Sequence, residues 1–227
     1  MIGGPGGPCE ETSMNASSQA DRRRARGLAL RLAREDLRGQ HPMDVARRAG
    51  VRYRAESDER GSFELACLNR RYQVSHPDGL VKSVDTAEEP NYALCLLILH
   101  YLGHADGRRL ADRWIAFREL PGGLMYERAV RRRAEPPLTS AFGQNLDRFR
   151  HAARALGGRP IDFGDAAFMF DILPRVPMSI ILHLGDEEFP PTARVLYDGA
   201  AGHYLPTDDL AILGGLLVEA LLKAPSE

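Results

Sequence analysis

Two groups of charged side chains have the residue types and spacing that ligand binding or catalysis would need. In the first group, Arg118 and Glu119 follow Trp114 and Phe117 and precede a Pro-Gly-Gly turn at residues 121–123. A guanidinium beside aromatic rings can bind a carboxylate or phosphate, and glycines let backbone N–H groups approach an anion. The same pattern also suits an internal bridge from Arg118 to a carboxylate, with both aromatic rings in the core. Both interpretations stay open at this point.

The second group consists of three consecutive acids, Asp186, Glu187 and Glu188, directly after a predicted strand. They could bind a cation or a basic ligand, or supply a general base if burial raised a pKa. The alternative is a solvated turn, because adjacent carboxylates repel one another and are costly to bury. Asp198 and His203 flank a Gly-Ala-Ala-Gly link that would bring them near these acids. The candidate ligand-binding residues are therefore Trp114, Arg118, Glu119, Asp186, Glu187, Glu188, Asp198 and His203.

A histidine pair and two cysteines are weaker candidates for chemistry. His100 and His104 are four residues apart on a predicted helix, as a helical metal pair would be, but no third ligand is evident. Cys67 and Cys95 lie in apolar surroundings that predict buried, inert thiols. The common hydrolase, phosphate-loop and dinucleotide motifs are absent from the sequence. We therefore predict no metal site, assign no catalytic residue and leave the cofactor open.

The composition indicates which class of protein contains these residues. With 227 residues, 44% of them hydrophobic and 27% charged, the chain has globular proportions. We expect a disordered tail over residues 1–20, without the pattern of a signal peptide, and a single domain over residues 21–227. The longest apolar run, Ala93–Leu99, is far shorter than the roughly 20 residues that cross a bilayer, so a cytoplasmic location with no membrane partner is predicted.

Charge is unevenly distributed along the chain. The net charge of −1 argues against a strongly basic nucleic-acid binder, so no nucleic-acid partner is expected. Residues 21–60 carry 12 arginines against 7 acids, and residues 108–154 carry 11 against 5. Residues 160–227 carry 3 basic residues against 11 acids. Either these segments neutralise one another by packing together, or the surface is dipolar.

The first half of the chain predicts helices around a small sheet. An amphipathic helix is expected from Asp21 to near Gly39, and a short second helix from Pro42 to Gly50. Alternating apolar residues predict an antiparallel meander over residues 51–84. The segment Pro90–His104 is apolar on nearly every side and predicts a buried central helix.

The second half predicts a second antiparallel sheet. Trp114–Leu120 is prone to form a strand, and residues 124–156 predict one or two helices broken near the Pro136-Pro137 pair. A hairpin over 165–184 and a third strand over 193–198 follow. Thr207 and the two acids after it predict the N-terminal cap of a C-terminal amphipathic helix. The fold class is α+β, with antiparallel meanders packed against the buried central helix and the C-terminal helix.

Four strings of residues, taken in order, resemble a bacterial family known as a domain of unknown function, DUF3786. They are Ile98–Leu102, Trp114–Gly123, Gly185–Pro190, and Tyr204–Leu205 followed by Asp208–Ala211. The resemblance extends from about Ala25 to the end. It implies no assigned activity, but some relatives carry an iron–sulfur domain and are linked to corrinoid and methyl-transfer chemistry in anaerobes. This sequence has no group of closely spaced cysteines that could bind an iron–sulfur cluster.

These observations predict a soluble ligand-binding or accessory module, placed in corrinoid or one-carbon metabolism by the resemblance alone. One alternative is an enzyme of unknown reaction whose site uses Arg118, Glu119, the acids at 186–188 and His203. Another is a protein–protein adaptor whose arginine-rich helices bind an acidic partner. The expected partner is accordingly an unknown small molecule or an acidic protein.

Overall fold

A computed structural model describes residues 9–225, with side chains from Gln19 onward. The α-helices are α1 (Cys9–Arg38), α2 (Pro42–Ala49), α3 (Tyr92–His104), α4 (Glu127–Phe142), α5 (Leu146–Ala155) and α6 (Thr207–Leu222). The strands are β1 (Arg52–Ala55), β2 (Gly61–Cys67), β3 (Arg70–His76), β4 (Val81–Ser83), β5 (Trp114–Ala116), β6 (Arg159–Ile161), β7 (Ala166–Leu173), β8 (Val176–His183) and β9 (Thr192–Asp198). Short 3-10 turns cover Phe117–Glu119, Gly123–Met125 and Ala201–His203.

The strands form two antiparallel sheets, which confirms the predicted α+β class. The first sheet has the order β1-β2-β3-β4 and is the predicted meander. The second has the order β5-β9-β8-β7-β6, so the predicted hairpin and third strand form its centre. The two sheets meet where the Leu68 N–H donates to the Ile172 carbonyl at 3.1 Å.

Helix α1 begins earlier than the sequence predicts. Its described backbone starts at Cys9, whereas the amphipathic pattern predicts a start at Asp21. The predicted disordered tail covers residues 1–20, of which residues 1–8 lie outside the described residues. The buried contacts of α1 come late in the helix, at Ala33 and Leu37, while Leu28 and Leu32 are exposed.

Helix α3 is the buried centre of the fold, as predicted. It begins at an Asn91 cap, whose side-chain oxygen accepts a hydrogen bond from the Leu94 N–H at 3.1 Å. Leu97, Ile98 and Leu99 are each at most 1% exposed, because other elements surround the helix. Such burial on all sides follows from an apolar sequence without a polar face.

The predicted break near Pro136-Pro137 is wrong, because α4 continues through both prolines. Each proline removes one backbone hydrogen bond from the helix. Apolar packing compensates for this loss, since Ala134, Leu138 and Phe142 recur every four residues and are all buried. The chain instead breaks at Gly143, and α5 begins at an Asn145 side-chain cap.

The predicted cap of α6 is also wrong in detail. Thr207 is the first helical residue, and its hydroxyl donates to the Pro121 carbonyl at 2.7 Å instead of capping the helix. This bond ties the start of α6 to the turn at residues 121–123. The predicted apolar stripe of α6 is confirmed, since its leucines at 210, 213, 217 and 221 are buried. Within the described residues, no helix is both long enough and apolar enough to cross a membrane.

Candidate functional site

A cavity of about 600 Å³ lies between α4, α6 and β9. Its volume falls within the range of about 300–1,000 Å³ that is typical of small-molecule sites. Four of its lining residues are buried and form the floor: Phe117, Ala134, Tyr197 and Gly214. Tyr126 and Ile212 are 51% and 43% exposed and add apolar surface at the rim. The cavity is therefore apolar at its base.

Two adjacent glycines of α6 shape one wall of this cavity. A Cβ atom at Gly214 would lie 2.5 Å from the Tyr197 hydroxyl, so glycine is needed for the close packing of α6 on β9. That hydroxyl donates to the Leu210 carbonyl at 3.2 Å, and burial raises the pKa of Tyr197. A Cβ atom at Gly215 would meet nothing within 4 Å. The missing side chain at Gly215 therefore leaves space that packing does not require.

Charged side chains surround the opening of the cavity. Arg131 makes a bidentate ion pair with Glu135 at 2.8–2.9 Å, and this pair raises the pKa of Arg131. Arg118 is 4.0 Å from Glu127, which is too long for a hydrogen bond. Arg133 and Arg194 are exposed and also line the cavity. Within the described residues, neither of these two arginines has a hydrogen bond or an ion pair, so both can bind an anion.

A second groove of about 490 Å³ continues along the other side of α4. It runs between α4 and the first residues of β9, and it shares Glu127, Arg131, Glu135 and Arg194 with the cavity. These four shared residues thus lie at the boundary between the two. Hereafter "the cavity" is the space between α4, α6 and β9, and "the β9 groove" is this second groove.

The structure separates the members of the first predicted group. Arg118 lines the cavity, but Trp114 is half-buried in β5, where it pairs in register with Asp198. The Glu119 carboxylate accepts a hydrogen bond from the Ala116 N–H at 2.7 Å and so holds a turn. The Gly123 N–H donates to the Leu120 carbonyl, so it is not available to an anion. Of the candidates Trp114, Arg118 and Glu119, Arg118 alone lines the cavity, next to its neighbour Phe117.

The second predicted group forms an exposed turn. Asp186 accepts hydrogen bonds from the N–H groups of Phe189 at 2.6 Å and Glu188 at 2.9 Å, and these bonds lower its pKa. Asp186, Glu187 and Glu188 line a separate shallow depression that shares no lining residue with the cavity. Their geometry matches the solvated turn that the sequence left as the alternative.

Asp198 and His203 have different partners from those anticipated. Asp198 is 3% exposed, and its carboxylate accepts hydrogen bonds from the Ala111 and Ala200 N–H groups at 2.9 and 2.8 Å. His203 pairs with Asp106 at 2.7 Å. Burial acts to raise the pKa of Asp106, but hydrogen bonds from the Arg108 N–H and His203 lower it overall. Both candidates therefore hold the loop before β5 against the segment that leads to α6.

His100 has a partner that the sequence did not indicate. Its Nδ1 is 2.5 Å from the carboxylate of Asp209, which is only 6% exposed, so the pair joins α3 to α6. The His104 ring lies edge-on to the His100 ring at 5.3 Å, and its Nδ1 is 2.9 Å from the His100 carbonyl. In the described part of the chain, no group of three or more His, Cys, Asp or Glu side chains could hold a metal ion.

The two cysteines of the domain are free and buried, as predicted. Burial raises the pKa of Cys67 to about 12 and, together with the nearby Glu89 carboxylate, that of Cys95 to about 11. Thiols with such pKa values are poor nucleophiles at neutral pH.

Sequence reasoning missed most of the cavity. Arg131 and Arg133 belong to the arginine-rich stretch at residues 108–154, and no motif in the sequence singles out Arg194. The adjacent glycines 214 and 215, inside an otherwise apolar helix, were a signal that was available, since such glycines usually have a packing or functional reason. No sequence pattern indicates that β9 and α6 meet at these positions.

Comparisons with known proteins place the chain in a family without adding an activity. No curated protein and no solved structure matches it. The family model described as a domain of unknown function, DUF3786, matches residues 41–220, a range that covers the cavity, the β9 groove and both sheets. The chain therefore belongs to the DUF3786 family.

Proposed function

We propose that the protein is a binding module for a small organic anion, which it takes into the cavity between α4, α6 and β9. The observation that carries this proposal is the combination of a buried apolar floor with two exposed arginines at the rim. These are Arg133 and Arg194, which have no ion pair with any described residue. An apolar pocket with a few polar groups at its opening is the usual form of a small-molecule site.

The chemistry of the lining defines the class of ligand. The apolar body of the ligand would lie against Phe117 and Tyr197, while its carboxylate, sulfonate or phosphate would face Arg133 and Arg194. Guanidinium groups bind such oxyanions through two parallel hydrogen bonds. Because Glu127, Glu135 and Asp208 also line the cavity, a ligand with one anionic end and an uncharged or basic remainder fits better than a polyanion.

A role in corrinoid or one-carbon metabolism is a narrower form of this proposal and rests on the family resemblance. Folates carry an aromatic body and carboxylates, so they match the cavity chemistry and belong in the ligand screen. Corrinoids, nucleotides and metal ions belong in the same screen. A ligand that binds only the folded state raises the melting temperature.

The first experiment uses anilinonaphthalene sulfonate, a fluorescent aromatic anion, and a variant that fills the cavity. Gly215→Leu places a side chain in the open space beside Gly215. We expect the fluorescence increase of the dye on the wild-type protein to be lost in Gly215→Leu. Compounds from the screen are then ranked by their displacement of the dye.

The matched control is Gly215→Ala, which adds a single methyl group and leaves most of the cavity open. It should bind the dye nearly as the wild type does. Equal dye binding by Gly215→Leu and the wild type, with both variants folded by circular dichroism, would refute binding in the cavity.

A further inference from the structure

The first half of β9 has an unpaired edge. β9 is flanked by β8 on one side and by β5 on the other, but β5 is only three residues long and pairs with residues 196–198. On the side away from β8, residues 192–195 therefore have no neighbouring strand among the described parts of the chain. Within the described residues, no backbone or side-chain hydrogen bond reaches this edge from outside the sheet.

The open edge faces the β9 groove. Thr192, Ala193 and Arg194 form one side of the groove, and α4 forms the other side. A groove between a strand edge and a helix is a geometry in which an extended peptide can add one strand to a sheet. Backbone hydrogen bonds then provide affinity, and the helix contacts alternate side chains of the peptide.

The charge of the helix wall indicates which peptide would fit. Arg128, Arg131 and Arg132 of α4 line the groove, together with Arg194 of β9. Glu135 neutralises Arg131, while Arg128 and Arg132 have no ion pair within the described residues. Glu127 adds one negative charge, so the groove keeps a positive excess. An acidic segment is therefore complementary to it.

We infer that the β9 groove binds an acidic segment of a partner protein, which pairs with residues 192–195 as an additional strand. The acidic side chains of this segment face Arg128 and Arg132. This site is distinct from the small-molecule cavity, although the two share Arg131 and Arg194. A peptide in the groove would therefore contact Arg194, one of the two arginines at the rim of the cavity.

The test is fluorescence anisotropy with a labelled six-residue peptide that alternates glutamate and valine. We expect it to bind at low salt, and Arg128→Glu combined with Arg132→Glu to weaken binding by about tenfold or more. Neither of these arginines lines the cavity, so dye binding there stays unchanged in this variant. The control is Arg22→Glu combined with Arg23→Glu, two exposed arginines of α1, which should leave peptide affinity nearly unchanged. Equal weakening by both pairs, or no binding of the peptide to the wild type, overturns the inference.

Backbone methylation distinguishes strand addition from simple charge attraction. One version of the peptide is N-methylated at its valines and another at its glutamates, so each loses the N–H groups along one edge while keeping its charge. Strand addition predicts that at least one of these versions loses binding, and that the parent peptide slows amide exchange at residues 192–195. If both versions bind as tightly as the parent peptide, the inference is wrong. If the protein forms a dimer that the peptide does not dissociate, the edge of β9 belongs to an interface with a second copy of the chain. This result would also overturn the inference.

Discussion

His76 ends β3 in an environment that suits an apolar ring better than an imidazole. It is 8% exposed, and the rings of Tyr53 and Phe63 meet it edge-on at centroid distances of 6.2 and 5.8 Å. Within the described residues, neither ring nitrogen has a hydrogen bond of good geometry, although the backbone of Gln40 and Leu37 lies near the ring. Burial lowers the pKa of His76, against a smaller opposite effect of the Gln40 and Leu37 backbone. The folded protein therefore keeps this side chain neutral at a cost.

We predict that His76→Phe stabilises the protein by about 1 kcal/mol at neutral pH, because it removes two buried polar atoms that make no well-formed hydrogen bond within the described residues. The gain should grow as the pH falls. Below the ordinary histidine pKa of 6.5 the unfolded wild-type chain takes up a proton that folded His76 does not, which lowers the wild-type free energy of unfolding. Urea denaturation at several pH values measures both effects.

The control for this prediction is His183→Phe, at the exposed end of β8. This substitution should change the free energy of unfolding, and its dependence on pH, much less than His76→Phe does. A His76→Phe protein that is less stable than the wild type, with an unchanged pH dependence, would show that the imidazole nitrogens have partners in solution.

At the scale of elements, α6 contains two neighbouring glycines with opposite roles. Gly214 allows the helix to approach the Tyr197 hydroxyl, whereas Gly215 leaves open space beside the cavity. Glycine inside a helix costs about 0.5–1 kcal/mol relative to alanine. The same substitution at the two positions therefore separates helix propensity from packing.

We predict that Gly215→Ala raises the free energy of unfolding by about 0.5–1 kcal/mol, because the added methyl group meets no neighbour. Gly214→Ala should lower it by about 1–3 kcal/mol, because its Cβ would collide with the Tyr197 hydroxyl. Urea denaturation of the two single variants measures the difference. Destabilisation of the same size in both variants would contradict the open wall at Gly215.

The sequence predicted the elements better than it predicted the site. Strand and helix periodicity is local, so the meander, the hairpin and α3 were predicted near their observed bounds. The prolines in α4 were misjudged because tertiary packing of Leu138 and Phe142 outweighs the lost hydrogen bonds. The cavity depends on which residues of α4, β9 and α6 face one another. A single sequence does not carry that information, so of the predicted residues Arg118 alone lines the cavity.

At the scale of the whole molecule, the positive and negative segments do not neutralise each other through side chains. Within the described residues, no arginine of 108–154 forms an ion pair with an acid of 160–225. The pairs stay local instead, as in Arg131–Glu135 and Arg150–Asp147. In α1, the side chains of Arg22, Arg23 and Arg24 are exposed. We therefore expect the surface to be dipolar in charge, although α4 itself packs against α6 and β9 of the acidic segment.

We predict that the protein is retained on a sulfonate cation-exchange resin at pH 7 and low ionic strength, despite its net charge of −1. Reversing Arg22, Arg23 and Arg24 to glutamate should make it elute at lower salt. Reversing Asp186, Glu187 and Glu188 to lysine should weaken its retention on an anion-exchange resin. A wild-type protein that flows through the sulfonate resin would contradict a dipolar surface.

The unpaired edge of β9 also has a consequence for solubility. Exposed strand edges are where folded proteins aggregate, and natural sequences guard them with prolines and charges. Pro190 and Pro191 precede β9, and Arg194 lies within its open half. The exposed edge is therefore short and positively charged, which disfavours pairing with an uncharged strand of another molecule. The same four residues that would accept an acidic peptide thus help to keep copies of the folded chain from stacking on one another.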